Sequence, residues 1–351
     1  MRKEDGMRSD GGRDVRSGRA GRAGRVSHAG HVGRVGRVGR AAKTRVVLRA
    51  MWSTGVGRYA LVTLGVWGSV ALLSCVWTPW PLSATDGYHA WDAPSFAHPL
   101  GTDGTGADIL SWLMAGSRTN LAIALLTVAG TLAVGLLLVG CMSVRSAWLS
   151  SAVCAAVDAL IALPTVLVAL LLAVPFGASA AVVVGACSLA YGLNLARVAK
   201  PAALLAARSD YVAAARANGA SGPYLFVRHV LPGVTPVLAV QASIAAGTSV
   251  LAEAGLTYLG VGVGAGVPSW GHSLATSARL ITVFPLTVLW PGLVVTAAVS
   301  ALNLFGDVLR EAADPMANGR LRTLGYADEI ARAAADDGKD MGKAMGKEDA
   351  R

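Results

Sequence analysis

Six apolar runs between residues 59 and 305 constrain this chain more than any other feature. They lie at 59–77, within the uncharged stretch 119–144, and at 153–174, 179–196, 234–252 and 286–305. A helix needs about 20 apolar residues to cross a bilayer, and each run comes close to that length. Inside hydrocarbon every backbone polar group must be satisfied internally, so only helices or a closed barrel span it. These runs are continuous rather than alternating, which selects helices. Hydrophobic residues form 54% of the chain and charged ones 15%, a membrane-protein balance. The expected fold class is therefore an all-α membrane protein with six transmembrane helices. Pro175-Phe-Gly177 is read as the turn between the third and fourth spans, and Trp77 and Trp80 as interfacial anchors of the first.

Lys and Arg gather in cytoplasmic loops. The N-terminal segment, Arg145, the loop carrying Arg197, Lys200, Arg208, Arg216 and Arg228, and Arg310 fall on one side of a six-span layout. The opposite side has Asp86, Asp92, Asp103 and Asp108 in its first loop, and chiefly Arg118 and Arg279 as cations. Both termini are thus expected in the cytoplasm of a multi-pass plasma-membrane protein.

The net charge of +10 is confined to one end: residues 1–50 hold 14 Lys/Arg against 4 Asp/Glu, leaving 17 of each elsewhere. This segment repeats Gly-Arg-Ala and Gly-Arg-Val from Gly18 to Arg40 and has almost nothing to bury, so it is expected to be disordered. Two readings stand, a solvated cytoplasmic tail or a protein whose translation begins at Met51. Without aromatic residues to stack on bases, nucleic acid is an unfavoured partner. The expected organisation is a tail at 1–50, a membrane domain at 51–315 and a charged cytoplasmic tail at 316–351.

One polar island interrupts the apolar pattern. From Asp210 to Pro232 the chain is basic, with a helix-forming Ala213–Ala217 run and a Gly219 able to supply a left-handed C-cap. Ser221 is placed to start a second short helix, ending near a break at Pro232-Gly233. Connectors this long usually have a purpose, and a helix, a glycine elbow and a helix make a docking knob. Tyr211 is read as an interfacial anchor, Arg216 and Arg228 as partner contacts or positive-inside charges, and His229 as a packing residue.

At these residues the chain resembles the coupling loop of ABC-importer permeases, whose pattern is Glu-Ala-Ala, three residues, Gly, nine residues, Ile, one residue, Leu-Pro. Ala214, Ala215, Gly219, Leu231 and Pro232 match in register, while Ala213 stands in place of Glu and His229 in place of Ile. An Arg228-His229-x-Leu-Pro ending is similar to that of the dipeptide, oligopeptide and nickel branch. Further stretches resemble the family in order: Gly101-Thr-Asp103 through Asp108, Asp158 through Pro164, Glu253 through Gly262, Pro268-Ser-Trp-Gly271, and Asn303 through Pro315. Ala107, Trp112 and Ala155 occupy positions where that family usually has Arg. The resemblance spans roughly 57–315 and implies a non-catalytic permease subunit for peptides or nickel. It also implies a homologous second permease, two cytoplasmic ABC ATPases that carry ATP and Mg, and an external solute-binding protein. No cofactor is expected on this chain, and the resemblance leaves the substrate path unassigned.

Other chemistry finds little support. Ala42-Lys43-Thr44 lacks the two glycines of a phosphate-binding loop, since Ala42 and Arg37 stand in their places. The alternating Gly260, Gly262, Gly264 and Gly266 miss the dinucleotide spacing. Cys75, Cys141, Cys154 and Cys187 read as small buried hydrophobes, and neither they nor the six His residues form a metal-ligand pattern. Asp158, Glu253 and Asp307 are read at span ends, in ion pairs or helix-end positions rather than a proton relay. The rival readings are a proton-coupled secondary carrier, which wants a mid-span carboxylate, and a membrane-anchored nucleic-acid-binding protein acting through residues 1–50.

Overall fold

A computed structural model describes residues 48, 51–143, 147–264 and 266–313. Apart from Leu48, the tail expected over 1–50 lies outside the described residues, as does the tail expected over 316–351. Ten helices organise the rest. They are α1 (Gly55–Leu73), α2 (Ile109–Met142), α3 (Ala147–Ile161), α4 (Thr165–Phe176), α5 (Ala180–Ala207), α6 (Asp210–Ala217), α7 (Gly222–Leu225), α8 (Leu231–Tyr258), α9 (Trp270–Ala278) and α10 (Pro285–Ala313). The described fold is all-α, with one isolated bridge between Thr102 and Asp108. Five helices are long and apolar enough to cross a membrane, and a sixth crossing arises if the bent pair α3 and α4 is counted as one span.

That bend corrects the third expected span. Residues 153–174 do not form one rod, because the two helices meet at 88° around Pro164. A residue before proline is disfavoured in the helical region, so Leu163 lies in the bend after Ile161 and Pro164 caps the next helix. Gly177, at φ 75°, ends α4 in a conformation that favours glycine.

The other spans run longer than their apolar cores. Helix α2 starts ten residues before the uncharged stretch, with Asp108 accepting from the backbone N–H of Ser111 at 2.8 Å. Arg118 is tolerated inside it because its guanidinium donates to the Ser74 carbonyl at the end of α1, at 3.0 Å. Helix α5 continues past Arg197 and Lys200, whose side chains reach Asp158 at 3.4 Å and the Cys154 sulfur at 2.8 Å. Of the four cysteines only Cys187 is fully buried, and Cys75 is exposed where α1 turns outward.

Helices α2 and α5 approach closely. A Cβ at Gly192 of α5 would meet Val134 Cβ of α2 at 2.7 Å, so only hydrogen fits there. With no hydrophobic drive between helices in lipid, such close backbone packing is what holds them. Their remaining faces bury Leu193, Leu195, Ala196 and Ala199 with Val139, together with Val234 and Leu238 of α8. A second cluster joins Trp67 of α1, Leu113 of α2, Val250 of α8, Trp270 of α9 and Val295 of α10.

Candidate functional site

Two features sit at opposite ends of α8: a helical knob before it and a buried carboxylate near its far end. The knob begins with α6, whose Ala-rich sequence favours helix and whose Asp210 and Arg216 suit the partial charges of its two ends. Gly219 follows at φ 83°, the left-handed elbow anticipated from the sequence, and no atom lies within 4 Å of where its Cβ would be. Ser221 takes the cap position of α7, but its side chain makes no capping hydrogen bond.

Beyond α7 the chain does not break. Residues Phe226–Val230 form one π-helical turn, in which the Leu231 N–H bonds to the Phe226 carbonyl five residues back. Pro232 has no N–H to donate and its ring would crowd the carbonyl four residues earlier, so a widened turn just before it lets the helix continue. The break expected at Pro232-Gly233 is thus replaced by an uninterrupted Gly222–Tyr258 helical run.

The sequence-derived residues divide by surface. Tyr211, Ala214, Arg216, Gly219, Arg228 and Pro232 are exposed, whereas Ala215, His229 and Leu231 are half-buried. His229 lies between Tyr211 and Tyr224, each 5.9 Å away by ring centroid, and so clips α6 to the α7 end. Val212, Leu225 and Val230 are buried and seat the knob on the bundle. A cleft of about 600 Å³ opens beside it, lined by Ser143, Ala207, Arg216, Pro223 and Phe226 among others.

The second feature was not anticipated. Glu253, read from the sequence as a span-end group in an ion pair or helix-end position, is fully buried. One carboxylate oxygen accepts from Asn120 Nδ2 at 2.7 Å and the other from Thr257 Oγ1 at 2.8 Å. The Ser269 hydroxyl contacts it as well. Asn120 Oδ1 in turn accepts from the Trp270 backbone N–H at 3.3 Å, and Thr257 Oγ1 from Val263 N–H at 2.9 Å. The Trp270 indole donates to the Leu113 carbonyl at 3.0 Å and lies 5.2 Å from Trp67. The network ties α2, α8 and α9 together, and its side-chain partners make the carboxylate a structural knot.

The loop before α2 is built around histidines. His98 Nδ1 lies 3.1 Å from Asp108 and its ring stacks on Trp80 at 4.9 Å. His89 lies 2.8 Å from Asp92, and this hydrogen bond and charge, with Asp86 adding to them, raise its pKa. His272 of α9 stacks on Trp112 at 5.4 Å, and burial lowers its pKa against the opposing charge of Asp103.

Residues 130–318 match the family model described as binding-protein-dependent transport system inner membrane component. The chain belongs to that family. This inner membrane component is an ABC-importer permease, and the matched region runs from within α2 through α5, the knob and α8 to α10. It is 31% identical over 268 residues to the nickel transport system permease protein NikC of Escherichia coli K12, covering 76% of the permease and 96% of that relative. It is 28% identical over 246 residues to the dipeptide transport system permease protein DppC of Alkalihalophilus pseudofirmus, covering 70% and 81%.

Proposed function

We propose that this permease carries peptides or nickel inward and couples that movement to ATP hydrolysed by two partner ATPases, in company with a second permease and an external binding protein. The knob carries the reading. It offers an exposed basic face with Arg216 and Arg228, is seated by buried Val212 and Leu225, and from Gly222 onward continues without a break into α8. Such a piece moves as a lever: a displacement at the ATPase is delivered to a membrane span, which rocks the bundle between inward-open and outward-open states. On this reading both termini and the knob are cytoplasmic, residues 51–315 form the transport domain, and ATP with Mg binds only to the ATPases. Glu253 sits among Asn120, Thr257 and Ser269, so its partners supply a structural role for it.

Gly219→Val tests the coupling. A β-branched side chain at φ 83° meets a backbone penalty of about 1–2 kcal/mol, although space around it is open. The elbow should re-angle while the spans insert normally. Gly87→Val, in open space on the loop before α2, is the control. We expect Gly219→Val to lose ATPase co-purification and uptake and Gly87→Val to keep both. Full retention by Gly219→Val, or equal loss by both, refutes the coupling role.

A further inference from the structure

Helices α5 and α8 are the most buried spans, yet each leaves one narrow exposed ridge. On α8 the ridge runs through exposed Ile244, Leu251, Gly255 and Tyr258 with half-buried Gln241 and Thr248 between them, and on α5 through exposed Asn194, Val198, Pro201 and Leu205 with half-buried Tyr191. Spacings of three and four residues keep each ridge on one helix face. The two helices meet the knob at neighbouring ends and pack antiparallel, and their ridges join where the Tyr191 hydroxyl reaches Thr248. One turn beyond Asn194, Arg197 pairs with Asp158 of α3 at 3.4 Å, with 58% and 56% of their side chains exposed.

The depth of these groups decides what can face them. Tyr191, Asn194 and Arg197 are residues 12, 15 and 18 of the 28 in α5, and Gln241 and Thr248 are residues 11 and 18 of the 28 in α8. Any stretch of about 20 residues of α5 that crosses the hydrocarbon contains Tyr191, Asn194 and Arg197, and with the knob outside the bilayer Gln241 and Thr248 lie within the crossing part of α8. A charged side chain facing lipid there costs about 2.5–3.5 kcal/mol or more, and such residues face a bundle interior or a watery cavity. The exposed faces of α4 and α1 are largely apolar: α4 presents Leu167, Leu171, Val174 and Phe176, and α1 presents Val62, Val66 and Leu72.

We propose that the Tyr191, Asn194, Gln241 and Thr248 seam, with the Arg197–Asp158 pair at its end, lines the solute path, and that the solute it fits is a short peptide. This rests on the permease reading above. Amide and hydroxyl side chains both donate and accept hydrogen bonds, matching successive peptide groups without a charge preference. Asn194 spends one amide hydrogen on the Ala190 carbonyl at 3.0 Å and keeps its carbonyl oxygen for a donor. A bare transition-metal ion is held by imidazole, thiolate or carboxylate. The seam's one carboxylate, Asp158, is engaged by Arg197.

The test is labelling of the assembled transporter in membrane vesicles with MTSET, an impermeant thiol reagent that reacts in water. Cys75, Cys141, Cys154 and Cys187 are first replaced by Ala. Asn194→Cys and Thr248→Cys should react in at least one nucleotide state, and tri-alanine should slow the reaction whereas nickel chloride should not. Val66→Cys and Leu171→Cys should stay unlabelled. Asn194→Leu should reduce tri-alanine uptake about tenfold, the worth of one hydrogen bond, with ATPase co-purification unchanged. Absence of labelling at both seam positions in every state means that another chain covers the seam permanently, and overturns the proposal. Labelling that tri-alanine does not slow, or that nickel slows instead, overturns the peptide assignment. Labelling requires no coupling, so its outcome stands apart from that of Gly219→Val.

Discussion

Removing the Glu253 carboxylate should destabilise the bundle more than any conservative change nearby, and the size can be worked from its partners. Asn120, Thr257 and Ser269 all approach this buried group. Glu253→Ala leaves these donors without an acceptor at about 1–3 kcal/mol each, so about 3–5 kcal/mol in all is expected after partial repacking. Glu253→Gln keeps the volume and one acceptor but turns an N–H toward a donor, and should cost about 1–2 kcal/mol. Interhelical hydrogen bonds in membrane proteins couple by about 0.6 kcal/mol on average and about 1.7 at most. Full burial of both partners places the Glu253–Asn120 coupling near the upper figure. A double-mutant cycle with Asn120→Ala and Glu253→Ala, measured by SDS-driven unfolding in mixed micelles, isolates that term. Additivity within about 0.3–0.5 kcal/mol, or Glu253→Ala no worse than Glu253→Gln, would refute the assignment of this network as a structural knot.

Gly192→Leu should prevent close approach of α2 and α5 and cost at least about 1–3 kcal/mol by overpacking, seen as loss of a monodisperse peak in detergent, whereas Gly185→Leu, in open space on the same helix, should not. His272 has a lowered pKa in the folded protein, so below its usual value of 6.5 the unfolded chain binds more protons and stability falls as pH drops. The melting temperature should therefore fall more between pH 7.5 and 5.5 than it does in His272→Phe; equal falls would count against burial of a neutral imidazole. Ser221→Cys and Ser95→Cys should label from opposite faces, Ser95→Cys from outside, and the reverse pattern would invert the proposed topology.

Much of this architecture is legible in one dimension because its causes are local. Apolar runs of membrane length mark the spans, and the left-handed Gly219 sits where an Ala-rich helix meets a glycine. The elbow at Pro164 has a local cause too, but a single proline inside a long apolar run is compatible with either a kinked span or a sharp bend. Span ends were misjudged at Arg118, Arg197 and Lys200 because a charge resembles a boundary until its partner is known. Those partners, Ser74, Asp158 and Cys154, lie 39 to 46 residues away in sequence. Glu253 and Asn120 are 133 residues apart, and no periodicity links them. The helix, left-handed glycine and second helix of the knob have local causes, whereas the missing Ser221 capping bond and the π turn that carries the chain through Pro232 do not follow from the residue pattern.

That turn has a thermodynamic consequence. Because it replaces a break, the 37 residues Gly222–Tyr258 form one rod about 55 Å long at 1.5 Å per residue, bearing the knob at one end and Glu253 near the other. Two binding events that favour different settings of one rod share a single coupling free energy, and that energy is reciprocal. If an ATPase docks at the knob as proposed, whatever factor it imposes on binding at the Glu253 end, a ligand at that end imposes on it.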